Sequence, residues 1–220
     1  MWTLIKFMLR LLVLLIFIGG PIGIVLLIIY ALKTGPRRRR EQYQKFADGI
    51  GGEMVLGPKG NPLCARVIKD GIEIKVSDQV ETEVHHHHDF SDGGIETDRR
   101  TFQYFIMESP GNFGFNVFLT KDSTIFKLAQ KLGKVTDIEI GDPEFDKKYL
   151  ISAKDPAPVA AFFSSHARRG ALNALFDLNF KEFWVSPDSI IIRKGFQPSK
   201  DLIPANLQQY VNQFYLLVKG

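Results

Sequence analysis

Four consecutive imidazoles stand at His85, His86, His87 and His88, inside the stretch EVHHHHDF. A neutral imidazole is the commonest side-chain ligand for zinc, nickel and copper, so the run raises metal chemistry first. In extended backbone, alternate side chains face opposite ways, which pairs His85 with His87 and His86 with His88. Two imidazoles at i and i+2 chelate weakly. A fixed site takes three or four ligands held by a supporting shell. Glu81, Glu83, Asp89 and Asp92 are near enough in sequence to add oxygens. The following DFSDGG has loop chemistry, so a solvated strand end or loop is the favoured expectation. The four histidines are the candidate metal residues, and a metal- or pH-responsive sensory domain built on them is the alternative function.

Other groups offer less chemistry. GDPEFD places Asp142, Glu144 and Asp146 at alternate positions, like the start of a calcium loop. Lys147 stands where that loop needs Gly, and Ala153 where it needs a bidentate Glu, so a turn is expected instead. Cys64 is the only cysteine, which excludes an intrachain disulfide and fits a reducing compartment. Cys64 and His166 could pair as nucleophile and base, but neither sits in a nucleophile motif. Neither a G-x-S-x-G elbow nor a phosphate-cradling glycine loop occurs. No catalytic residue and no cofactor is therefore expected, and an enzyme acting on a membrane-associated substrate is the weakest of the three readings.

The net charge of +4 comes from one end of the chain. Lys6, Arg10, Lys33 and Arg37–Arg40 are seven of the 28 basic residues, and residues 1–40 hold no acid. The remaining 21 basic residues face 24 acidic ones, so the rest of the chain is slightly acidic. That argues against a nucleic-acid partner, which wants basic charge over a folded face. Between the basic groups, LLVLLIFIGGPIGIVLLIIYAL runs from Leu11 to Leu32 without a charge. Crossing a bilayer core takes roughly 20 apolar residues, so the run predicts one transmembrane helix, kinked at Gly19-Gly20-Pro21. It is longer than a signal-peptide core, and KTGPRRRR closes it like a stop-transfer flank. Lys33, Arg37, Arg38, Arg39 and Arg40 outweigh Lys6 and Arg10, which predicts a cytoplasmic C-terminal side in an inner (cytoplasmic) membrane. Arg37–Arg40 would then meet anionic lipid headgroups.

The elements follow from periodicity. Tyr43, Phe46, Ala47 and Ile50 predict a short amphipathic helix that Gly51-Gly52 stops. CARVIKDGIEIKVS predicts two strands about the Lys69-Asp70-Gly71 turn. TFQYFIME, with Phe102, Tyr104 and Ile106 on one face, and NFGFNVFLT predict an antiparallel pair joined through SPGN. DSTIFKLAQKLG predicts a helix, KKYLISA a strand, Asp155-Pro156 and Ser165 two helix starts, and KEFWVSPDSIIIRKG a strand pair. A last helix begins near Pro204 and turns Leu207, Val211, Phe214 and Val218 inward. The predicted class is α+β: one N-terminal transmembrane helix, then a soluble domain with a mainly antiparallel sheet and C-terminal helices. The expected boundaries are an anchor at 1–36, a basic segment with a short amphipathic helix at 37–52, and the domain at 53–220.

Residues 131–164, KLGKVTDIEIGDPEFDKKYLISAKDPAPVAAFFS, carry a resemblance. Gly141–Asp146, Tyr149–Ile151 and Asp155-Pro156 resemble a pattern in uncharacterised bacterial membrane-anchored proteins, whose domains are of unknown function. The likeness covers about residues 130–195 and does not include the histidines. It implies a folded, membrane-tethered, non-catalytic domain. The expected function is a single-span anchored interaction or structural module, bound to the bilayer through 11–32 and to an unidentified protein partner.

Overall fold

Alternating burial and antiparallel pairing set the architecture. The computed structural model describes residues 20–88, 95–121 and 137–220. The fold is α+β, with one mainly antiparallel eight-stranded sheet and helices. Two units divide the chain, Met1–Gln42 and Tyr43–Gly220.

Helix α1 runs without a break over Gly20–Ile50. Pro36 lies inside it and has no N–H to give the preceding turn. So the amphipathic stretch expected as a short separate helix is the end of a longer one. Among the described residues, no helix is long and apolar enough to cross a membrane. Leu11–Gly19, the first part of the expected span, lies outside the described residues.

In the second unit, Tyr43, Phe46, Ala47 and Ile50 are buried, so the domain core begins ahead of residue 53. A paired cap ends the helix: Gly52 N–H donates to the Ala47 carbonyl at 2.9 Å and Gly51 N–H to Asp48 at 3.3 Å. Gly51 takes φ +67°, the left-handed turn that such a cap needs. A Cβ on Gly52 would run into the Arg66 carbonyl, so the exit needs glycine twice.

The strands are β1 (Glu53–Leu56), β2 (Pro62–Lys69), β3 (Ile72–His88), β4 (Ile95–Pro110), β5 (Val117–Thr120), β6 (Leu150–Ala153), β7 (Glu182–Val185) and β8 (Ser189–Gly195). Their order is β1-β2-β3-β4-β8-β7-β5-β6. Asp70 and Gly71, both at positive φ, make the two-residue turn between β2 and β3. The helices after β5 are α2 (Pro143–Lys148), α3 (Pro156–Phe163), α4 (His166–Asp177), α5 (Pro198–Asp201) and α6 (Pro204–Lys219). The helix expected within 122–133 lies outside the described residues.

One sheet face is buried. A row crosses it through Ala65, Val76, Met107, Ile192, Phe183, Leu119 and Ile151, each paired with the next and each fully buried. Helices pack there: Phe46 of α1 and Tyr210 of α6 meet Phe105 edge-on, and Phe163 of α3 meets Phe183. Offset and edge-on rings of this kind favour a single packing arrangement over a fluid core.

The expected strand pairing is corrected. TFQYFIME and NFGFNVFLT do not pair: β4 lies between β3 and β8, and β5 between β7 and β6. The segment between them instead docks on the β7–β8 turn, where Gly111 N–H donates to Asp188 and Phe113 N–H to Pro187. The chain therefore passes two strands before it pairs again. In β4, Phe105, Met107 and Ser109 are the buried set, while Phe102, Tyr104 and Ile106 lie on the other face. Among the described residues, helices cover one face only, and the pleat alone does not say which.

Candidate functional site

The backbone of His85–His88 forms the last four residues of β3, a strand rather than a loop. Its partners across the hairpin are Asp98, Thr97, Glu96 and Ile95 in that order. β2 pairs with β3 only as far as Val76, and β8 with β4 only from Tyr104 onward. From Glu81 and Phe102 outward, the described residues of β3 and β4 thus pair in the ladder only with each other, as a two-stranded ribbon. Val80 and Phe102, at its base, are exposed. Asp89 and Asp92, the other oxygen donors considered, lie outside the described residues.

Of the basic residues expected to flank a membrane, Lys33 is on α1, and Arg37, Arg38, Arg39 and Arg40 are exposed on the same helix. Successive helical residues turn by about 100°, so four in a row place charge around the helix rather than on one stripe. Arg37 pairs with Glu41 one turn on, at 3.0 Å.

The outer sheet face carries Arg193 of β8. Its guanidinium meets Glu81 at 2.8 Å, bonds Glu182 as well, and lies over the Tyr104 and Trp184 rings at 4.3 and 4.7 Å. Desolvation lowers the Arg193 pKa, but the hydrogen bond and charge of Glu182, with Glu81, outweigh it and hold it above the ordinary value. Phe118 leans on Trp184 beside this cluster. Glu81 ties the base of the ribbon to Arg193 of β8.

Lys194, the next residue, points the other way into the core. It is 5% exposed and Asp201 0%. Lys194 Nζ lies 2.5 Å from Asp201 Oδ1 and donates to the Tyr210 hydroxyl at 2.9 Å. Tyr210 donates to Asp201 Oδ1 at 3.2 Å, and Gln197 N–H donates to Oδ2 at 2.7 Å. The ammonium also sits over the Tyr210, Phe180 and Phe105 rings. Burial pulls the Lys194 pKa down, against the opposing hydrogen bond and charge of Asp201. Burial, then Asp201, pushes the Tyr210 phenol up to about 12. This closed group joins β8, α5 and α6, and it offers no open face to a substrate. Sequence reasoning missed it, although Ile190, Ile192 and Lys194 alternate on one face and mark Lys194 as inward.

The acidic motif is structural. Asp142 caps α2 through the Glu144 and Phe145 N–H groups and pairs with Arg169 at 3.0 Å. Asp146 accepts from Ile140 N–H at 3.0 Å and Gly141 N–H at 3.2 Å. Phe145 is buried against Tyr149 and Phe163. Two of the three carboxylates are thus spent on backbone, as the expected turn requires. A cleft of about 390 Å³ beside them is lined by Asp137, Glu139, Gly141 and Lys147 among others. Cys64 lies on β2 and His166 in the first turn of α4, so the two belong to separate parts of the fold. Burial pushes the Cys64 thiol above its usual pKa, which works against a thiolate nucleophile. Among the described residues, no three of His, Cys, Asp and Glu come together to hold a metal.

Compared with known proteins, the chain matches no family model, no curated protein and no solved structure.

Proposed function

We propose that the chain is a single-span membrane-anchored protein whose Tyr43–Gly220 unit is a non-catalytic interaction or structural module at the cytoplasmic face of the membrane. One observation carries this reading. The charge-free run Leu11–Leu32 is followed in sequence by Arg37–Arg40, and the helix Gly20–Ile50, which carries those arginines, ends in buried residues Tyr43, Phe46, Ala47 and Ile50. Arginines around its circumference suit the anionic headgroup layer, where each basic residue adds about 1 kcal/mol of attraction. The non-catalytic part draws support from how the polar groups are used. Lys194, Asp201 and Tyr210 satisfy one another inside the core, and Asp142 and Asp146 hold backbone N–H groups.

Topology reporters on the full chain test it. A C-terminal reporter that works only in the cytoplasm should be active, and changing Arg37–Arg40 to Gln should reduce that signal. Activity of a reporter that works only outside the cytoplasm, or recovery of the chain wholly in the soluble fraction, would refute the proposal.

A further inference from the structure

The β3–β4 ribbon is rooted in the sheet at one level and fastened one pair further out by a different kind of contact. At the root, the Tyr43 hydroxyl accepts from the Asp78 N–H at 3.2 Å, and the Gln103 carbonyl accepts from the Phe196 N–H at 2.8 Å. The Gln103 side chain also donates to the Asp78 carboxylate at 2.7 Å. The next pair out, Glu81 and Phe102, opens the part of the ladder in which β3 and β4 pair only with each other among the described residues. Glu81 reaches across the outer face, and both its oxygens accept from Arg193 Nη1, at 2.8 and 3.0 Å. Phe102 lies 6.3 Å from the Tyr104 ring, over which the same guanidinium sits. The first pair of the free ribbon is thus held to β8 through one arginine.

We infer that Arg193 is a releasable latch for this ribbon, closed when Glu81 is bonded to it and opened by salt. What each group keeps when the bond breaks makes it releasable. Arg193 stays bonded to Glu182 and stays over the Tyr104 and Trp184 rings. Glu81, its side chain already 31% exposed, turns to water. Neither charge is stranded, so opening avoids the large cost of an unpaired buried ion. The neighbouring Lys194–Asp201 pair is the opposite case, sealed so that neither partner has another charge to turn to. Salt reaches the latch because Arg193 is 21% exposed. The screening length falls from about 10 Å at 0.1 M salt to about 3 Å at 1 M, which weakens an accessible pair far more than a sealed one. The consequence falls on the ribbon. A two-stranded hairpin alone is marginally stable in water. Released at its first pair, the ribbon loses order from Glu81 and Phe102 outward, while the sheet below keeps its own ladder. The latch does not depend on the membrane reading, because ribbon order is measured without reference to topology.

The test separates a latch from general support by a charged cluster. Amide hydrogen exchange of the full chain in detergent, read by mass spectrometry, is followed at about 0.05 M and about 1 M sodium chloride. In the parent, amides over 84–100 should exchange at least about threefold faster at high salt. Glu81→Gln should exchange there at least about threefold faster than the parent at low salt, with no further gain as salt is added. Glu182→Gln should stay within about twofold of the parent over 84–100, because Arg193 still holds Glu81. Amides over 204–219 report the core, and Glu81→Gln should leave them as in the parent. The inference is wrong if Glu81→Gln leaves the ribbon like the parent, or if salt does not change ribbon exchange in the parent. It is equally wrong if Glu182→Gln loosens the ribbon as much as Glu81→Gln does, or if Glu81→Gln loosens 204–219 as much as the ribbon.

Discussion

Replacing Asp201 with Ala strands the Lys194 ammonium in the core. Three interactions go at once: the ion pair at 2.5 Å, the Gln197 N–H bond at 2.7 Å and the Tyr210 hydroxyl bond at 3.2 Å. Breaking a buried pair from one side costs about 3–5 kcal/mol. An orphaned donor adds about 1–3 kcal/mol. Lys194 has an escape, because it can shed its proton. With an unfolded pKa near 10.4, deprotonation at pH 7 costs about 4.6 kcal/mol, and at pH 9 only about 1.9 kcal/mol. The charge part of the penalty therefore has a ceiling that drops as pH rises. The sign agrees with linkage. A lysine depressed further in the variant than in the parent makes the native variant release its proton first, so the variant gains stability relative to the parent as pH rises between its own folded pKa and the parent's. Lys194→Met should cost less, about 1.5–3 kcal/mol, since Asp201 keeps two donors. The double variant should be more stable than Asp201→Ala alone by about 2 kcal/mol or more. Urea unfolding of the full chain in detergent, followed by near-UV circular dichroism at pH 7 and pH 9, measures all four corners. An Asp201→Ala loss below about 1 kcal/mol at pH 7, or a loss that does not shrink by pH 9, would refute the sealed-pair argument.

Two further outcomes follow from burial. Phe105 is 0% exposed and touches Phe46, Phe180, Phe196 and Tyr210, whereas Phe102 is 38% exposed on the opposite face. Phe105→Ala should cost about 3–5 kcal/mol and Phe102→Ala under about 1 kcal/mol in the same unfolding assay, and equal losses would contradict the sheet's inside and outside. Tyr149 and Tyr210 should keep their protons past the ordinary tyrosine range, because burial raises both. Their stabilising share is complete below about pH 10 and, for Tyr210, is lost as pH rises toward 12. In an alkaline absorbance titration their phenolate bands should appear only as the near-UV dichroism collapses.

Local chemistry was legible in the sequence. Asp142 and Asp155 cap helices with Pro next in line, and Ser165 caps α4, because a side-chain acceptor before a proline or a helical turn satisfies free N–H groups whatever the rest of the chain does. The same holds for the Asp70-Gly71 turn and for the Gly51-Gly52 stop. Apolar spacing likewise placed Leu207, Val211 and Phe214 on the buried side of α6. Tertiary structure decided what alternation leaves open. A period of two defines two faces and does not say which one helices will cover, so Phe105 was chosen over Phe102 by Phe46 and Tyr210 arriving from distant helices. Arg193 and Lys194 are neighbours in sequence, yet one holds Glu81 and Glu182 on the outer face and the other is sealed against Asp201. The pairing of β5 with β6 and β7 depends on a crossing docked to the β7–β8 turn, a contact between segments far apart in sequence. The pairing of the His85–His88 backbone is set the same way. The residues opposite His85 and His87 follow from the β3–β4 register, and no property of EVHHHHDF contains that register.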